Sequence, residues 1–172
     1  MKDGSYMAIL PILIGAGRSV RMNELNLSTW TADWMWSLPI IVVTVLFHTF
    51  VLVLMHGRVT RVLSYVGKDR VTHLVAMLVM GATVLSATVL HGIEGTIWAI
   101  AYRLLGALHN NKLAMLYSLS AITAYGHENL FLAPQWQLMG ALEALNGLIL
   151  FGLTTAFLFT VIQKVWPHVM RG

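Results

Sequence analysis

Residues 123–129 place a threonine, a tyrosine, a glycine, a histidine, a glutamate and an asparagine within one short run, Thr123-Ala124-Tyr125-Gly126-His127-Glu128-Asn129. Before it lies a short amphipathic stretch and after it a long apolar one, so the run is too polar for lipid and has no room to be a domain of its own. Non-helical backbone survives at membrane depth only where it lines a cavity or is buried in protein. The chemistry such a loop can do is cation handling. Backbone carbonyls replace water around an ion, and carboxylates repeated around an axis form an acidic ring, the part expected of Glu128. His127 adds an imidazole whose charge changes between about pH 5 and 8.

Other polar side chains stand singly in apolar surroundings. His91 and Glu94 are one helical turn apart, and intramembrane ionisable groups normally face a bundle interior. They are expected either to brace the loop, through His127 or the short helix before it, or to pair locally. Glu143 is expected behind the loop, holding the short helix by hydrogen bonds, with lining the vestibule as the alternative. Asn146 is expected to face the axis. Gly147 and Gly152 permit either a gating bend or close helix packing. Phe157, Phe159 and Ile162 could form a constriction that closes by dewetting or could simply pack.

The surrounding chain suits this reading. Of 172 residues, 58% are hydrophobic and 10% charged, and mean hydropathy is +0.74. Soluble domains carry nearer to ~25% charged residues, so a bilayer is the expected solvent and partner. The absence of cysteine excludes disulfides and thiolate-held metal. The formal charge of +4 is spread over loops, which gives no reason to expect nucleic acid. No nucleophile and base occur at a spacing that would make an enzyme.

In order, residues 1–37 form an N-terminal extracytoplasmic or interfacial segment, ending in a tryptophan cluster at Trp30, Trp34 and Trp36. Residues 38–56 form the first transmembrane helix, with Pro39 in its first turn. The loop at 57–72 carries Arg58, Arg61, Lys68 and Arg70 against Asp69, which marks it as cytoplasmic. Residues 73–108 would measure about 54 Å as one helix, against a ~30 Å hydrocarbon core. They must tilt, protrude or break, with Gly92 or Gly95 the place for a break. A polar turn at 108–112 leads to a short helix and loop over 113–129, and a last long helix covers 136–165. The N-terminus then lies outside and the C-terminus, with Lys164, His168 and Arg171, inside.

The order of elements over 73–172 resembles the pore domain of bacterial potassium channels: outer helix, pore helix, filter loop and inner helix. Anchored on Pro134-Gln135-Trp136 and read backwards without a gap, residues 123–129 fall on that family's T-T-V-G-Y-G-D filter. Thr123 and Gly126 match, while Tyr125, His127, Glu128 and Asn129 replace the family's Val, Tyr, second Gly and Asp. The run from Gly140 through Glu143, Asn146, Gly147, Gly152 and Thr154 looks like the inner helix. His91, Glu94, Trp98, Tyr102 and Gly106 look like the outer one. The resemblance implies an all-α integral membrane protein with three transmembrane helices plus a re-entrant pore helix and loop. It further implies a homotetramer in the bacterial plasma membrane, with residues 123–129 as the path of a permeant monovalent cation such as potassium and no other cofactor. A side chain at the second glycine position resists the family's backbone geometry, at ~1 to 3 kcal/mol per chain, so the filter is expected to widen above Tyr125.

Two other readings stay open. The loop could have lost conduction, leaving a membrane sensor or structural subunit. His48, His56, His73 and His91 could instead hold a b-type haem between two helices. A transporter is disfavoured, since the chain shows no repeated half.

Overall fold

The computed structural model describes the backbone of residues 5–66, 73–126 and 130–169, and the side chains within 30–65, 73–126 and 130–166. Among the described residues four α-helices follow one another: α1 (Ser5–Val66), α2 (His73–Leu104), α3 (Asn111–Ile122) and α4 (Gln137–Val169), with a 3-10 turn at Pro134–Trp136 leading into α4. Three stretches among the described residues are long and apolar enough to cross a membrane, Trp30–Tyr65, His73–Leu104 and Pro134–Trp166. The expectations of an all-α chain and of three spanning-length helices both hold.

Helix ends differ from the sequence reading. α1 runs without interruption through residues 37 and 56, so Pro39 sits in a helix interior and Arg58 and Arg61 lie on α1 rather than in a loop. α2 continues through Gly92 and Gly95 and stops at Leu104, not 108. At Gly92 and Gly95 the reason is energetic. A glycine inside a helix costs about 1 kcal/mol relative to alanine, whereas opening the ladder in apolar surroundings strands amides at several kcal/mol each.

Each long helix buries one stripe. On α1 the stripe is Asp33, Ser37, Thr44, His48, Leu52, Val59 and Leu63, at spacings of four and seven that keep one face inward. The opposite faces present Trp30, Val42, Leu46, Phe50 and Val53, exposed apolar side chains suited to lipid. Two apolar clusters result. One gathers Leu52, Val59, Leu63, Leu90, Phe157, Val161 and Val165 from α1, α2 and α4. The other gathers Trp98, Tyr102, Leu108, Ala114, Leu132 and Met139 around the ends of α2, α3 and α4. Between them lies a belt of buried polar side chains, Thr44, His48, His91, Glu94, Ser118, Glu143, Asn146 and Thr154.

The turn between α2 and α3 is built by its own chemistry. Gly106 takes φ +67, its N–H bonds to the Arg103 carbonyl, and the Ala107 N–H reaches back to the Tyr102 carbonyl at 2.9 Å. This is a glycine-terminated helix end of the Schellman type. Asn110 then caps α3, its Oδ1 accepting from the N–H of Lys112 at 2.9 Å and of Leu113 at 3.2 Å. Partway along α1, the Asp33 carboxylate accepts a hydrogen bond from the Met139 N–H, which satisfies an orphan donor in the first turn of α4.

Candidate functional site

The short helix α3 is wedged between two spanning-length helices, and glycines on both make the room. A Cβ at Gly95 of α2 would lie 3.3 Å from Leu119 Cδ2 and 3.4 Å from Ser118 Oγ. On α4, a Cβ at Gly147 would fall 1.9 Å from the Ile122 carbonyl oxygen, and one at Gly140 would fall 2.1 Å from the Tyr117 hydroxyl. Gly147 is thirteen residues in from the start of the Pro134–Trp166 stretch, about 20 Å along a helix axis. The helix α3 therefore ends beside α4 about a third of the way along it, inside the apolar stretch.

There the backbone leaves its helical state. The Tyr125 N–H bonds to the Ser120 carbonyl at 2.9 Å and the Ala124 N–H to the Ala121 carbonyl at 2.8 Å. Ala124 takes φ 54, the left-handed position that glycine usually fills at a helix end, and Gly126 follows at φ 77. Thr123 turns its hydroxyl back onto its own helix, donating to the Leu119 carbonyl at 2.7 Å. Thr123, Ala124, Tyr125 and Gly126 are all exposed in the single chain, Tyr125 to 86%. A depression of about 350 Å³ opens beside them, lined by Tyr117, Ser120, Ala124, Gly126, Leu130 and Ala144 among others. His127, Glu128 and Asn129 lie outside the described residues.

Behind the turn, α3 is tied down by Glu143. Its Oε2 accepts from the Tyr102 hydroxyl at 2.6 Å, and its Oε1 accepts from the Ser118 hydroxyl. Ser118 also lies 2.6 Å from the Gly95 carbonyl. One carboxylate thus joins α2, α3 and α4. The low-dielectric interior makes leaving either partner of these bonds unmatched expensive. The Tyr102 ring meets that of Tyr117 edge-on at 5.4 Å, which holds the phenol in line.

Glu94 makes a second tie, and its partner comes from α1. Its Oε1 lies 2.7 Å from His48 Nδ1, and its Oε2 lies 3.2 Å from His91 Nδ1. On the far side of both rings, Thr154 of α4 stands 3.1 Å from His48 Nε2 and 3.1 Å from His91 Nε2. The imidazole centroids are 5.3 Å apart, and Phe151 stacks on His91 at 4.3 Å. No contact of Glu94 with α3 is seen among the described residues; it joins α1 to α2. A third tie runs from Asn146 Nδ2 to Thr44 Oγ1 at 2.9 Å.

The remaining expected residues divide by burial. Asn146 is fully buried against α1 rather than on an open face. Gly147 is used for close packing, whereas nothing lies within 4 Å of a Cβ at Gly152. Phe157 belongs to an apolar cluster shared with α1 and α2, so it is not available to an open face of this chain, while Phe159 and Ile162 are exposed. His56 is engaged by Lys164 Nζ at 2.8 Å.

The sequence offers His48 either as a haem ligand or as a hydrogen-bonded core histidine, of which the structure shows the second, and it gives no partner role to Thr44, Ser118 or Thr154. The signal was present in kind: each is a lone hydrogen-bonding group in an apolar stretch, and such groups seek partners inside the bundle. Which group meets which depends on the rotation and depth of three helices, which spacing along one helix does not encode.

Comparison with family models, with curated proteins and with solved structures finds no match for this chain.

Proposed function

We propose that this chain is one subunit of a homotetrameric cation channel with a potassium-channel-like pore module, formed by α2, α3, residues 123–133 and α4. The observation that carries the reading is the end of α3 beside Gly147, with non-helical, exposed residues 123–126 alongside the interior of a spanning-length helix rather than beyond its end. In lipid such backbone has to be sheltered by protein or wetted by a cavity. One chain leaves it open, so neighbouring copies around an axis supply the wall, and the space they enclose is the ion path.

In this reading Thr123, Ala124, Tyr125, Gly126, His127, Glu128 and Asn129 face the path, with Glu128 contributing an acidic ring at its mouth. Glu143 sets the position of α3 through Ser118, and Glu94 with His48 and His91 fastens the additional helix α1 to the module. The basic residues Arg58 and Arg61 support an orientation with the Val66 end of α1 on the cytoplasmic side of a plasma membrane and the N-terminus outside.

A non-conducting subunit is the second reading, favoured by the Thr123 hydroxyl, which is spent on its own helix at 2.7 Å. The haem alternative loses support because all four ring nitrogens of His48 and His91 face Glu94 or Thr154. The test is reconstitution of the purified chain in liposomes with potassium and sodium flux measured, alongside native mass spectrometry. A tetramer with flux that falls in Glu128→Gln supports the channel. A monomer, no flux from wild type, or equal flux from both proteins overturns it or its acidic ring.

A further inference from the structure

The cluster of His48, His91 and Glu94 brings three metal-ligating side chains from two helices together, with one donor atom of each lying within 4.8 Å of the others. We propose that it binds a divalent transition-metal ion of the zinc class, held by His48 Nδ1, His91 Nδ1 and the Glu94 carboxylate, and that the ion staples α1 to the rest of the bundle.

A proton count shows why a cation belongs there. Each neutral imidazole carries one N–H. If both sit on Nδ1, facing Glu94, then both Nε2 atoms look to Thr154, whose single hydroxyl proton serves one of them. If both sit on Nε2, donating to the Thr154 oxygen, then both Nδ1 lone pairs face carboxylate oxygens, acceptor against acceptor; and if His48 carries its proton on Nδ1 and His91 on Nε2, every contact is met except that the His91 Nδ1 lone pair still faces Glu94 Oε2. With neutral rings the site is one positive charge short. The geometry indicates where that charge goes. Although 3.2 Å apart, His91 Nδ1 and Glu94 Oε2 are out of line for a hydrogen bond, and both are buried with no hydrogen-bond partner. An ion beside that pair satisfies both and meets His48 Nδ1, which lies 2.7 Å from the other carboxylate oxygen.

The donor chemistry fits as well. Two imidazoles and a carboxylate form an established zinc ligand set, and Glu94 can offer both oxygens to fill the fourth position. Ligating histidines usually donate their other N–H to a second group that fixes the ring. Here Thr154 faces both Nε2 atoms at 3.1 Å. The proposal is independent of whether the pore conducts.

Because His48 and Glu94 are fully buried, loading has to occur as the helices assemble. The full chain is therefore expressed in medium supplemented with zinc, or separately with cobalt, purified in detergent without chelator, and assayed for bound metal. One ion per chain is expected in wild type, together with visible cobalt bands of a four-coordinate nitrogen and oxygen site. His48→Gln and Glu94→Gln should retain at least tenfold less, and Thr154→Ala should weaken retention, while His109→Gln, at an exposed histidine away from the cluster, should match wild type. Helicity by circular dichroism separates lost ligation from lost folding. A metal-free wild type overturns the proposal in favour of a third proton on the two rings. Cobalt bands that survive in folded His48→Gln, or an equal loss in His109→Gln, overturn it in favour of adventitious binding elsewhere.

Discussion

The carbonyl oxygen of Ile122, at the end of α3, rests against Gly147 so closely that a Cβ there would fall 1.9 Å from it. This contact sets how far α3 reaches along α4, and so the level at which the chain turns at residues 123–126. Gly147→Ala has to push backbone rather than a flexible side-chain tip, so we expect it to cost ~1 to 3 kcal/mol or more, as overpacking does. Gly152→Ala, with nothing within 4 Å of its Cβ, should be neutral or gain up to about 1 kcal/mol of helix propensity. Thermal melting of the two variants in detergent checks the contrast; similar midpoints would contradict the packing role of Gly147.

The second prediction concerns Glu143, which joins three helices through Tyr102 and Ser118. Ser118→Ala and Tyr102→Phe each leave one buried carboxylate oxygen unmatched, at about 1 to 3 kcal/mol apiece. Both variants act on one carboxylate, so the double variant should depart from the sum of the singles. Additive losses in denaturant or thermal unfolding would mean that the two bonds are independent.

His48 and Glu94 tie α1 to α2 across 2.7 Å. Removing the imidazole in His48→Ala leaves a buried carboxylate without its closest partner and should cost about 3 to 5 kcal/mol. Adding Glu94→Gln to that variant removes the charge and should recover part of the loss. A double variant less stable than His48→Ala alone would show that the carboxylate is not the source of the penalty.

Two positive φ angles beside one another give opposite expectations. Ala124 sits at φ 54, where a Cβ is unfavourable by ~1 to 2 kcal/mol, so Ala124→Gly should gain up to about 1 kcal/mol after the added freedom of the unfolded chain is subtracted. Gly126, at φ 77 with open space around it, should lose about 1 kcal/mol on replacement by alanine through backbone strain alone. Paired unfolding curves read both, and a stabilising Gly126→Ala would contradict the turn geometry.

Much of the fold was legible along the chain because its signals are local. The apolar length that makes three spanning-length helices is a property of composition in a window, and a bilayer rewards it wherever the helix sits. The polar turn at 108–112 was legible too, and Asn110 within it caps α3, whereas Gly106, whose backbone ends α2 at Leu104, fell inside the expected helix. Helix boundaries were less legible where polar residues suggested a loop, at Arg58 and Arg61, because α1 keeps its hydrogen-bond ladder while long basic side chains reach past its surface.

The sequence by itself determined that Glu94, Glu143, His48 and His91 need partners, since an isolated charge or imidazole in an apolar helix is costly. Only the tertiary structure decided the pairing: Glu143 with Ser118 and Tyr102, Glu94 with His48 across to α1, and Phe157 inward rather than on an open face. That choice depends on the depth and rotation at which helices pack, set here by close approaches at Gly95, Gly140 and Gly147, and a glycine in a sequence does not announce which helix will come to rest against it.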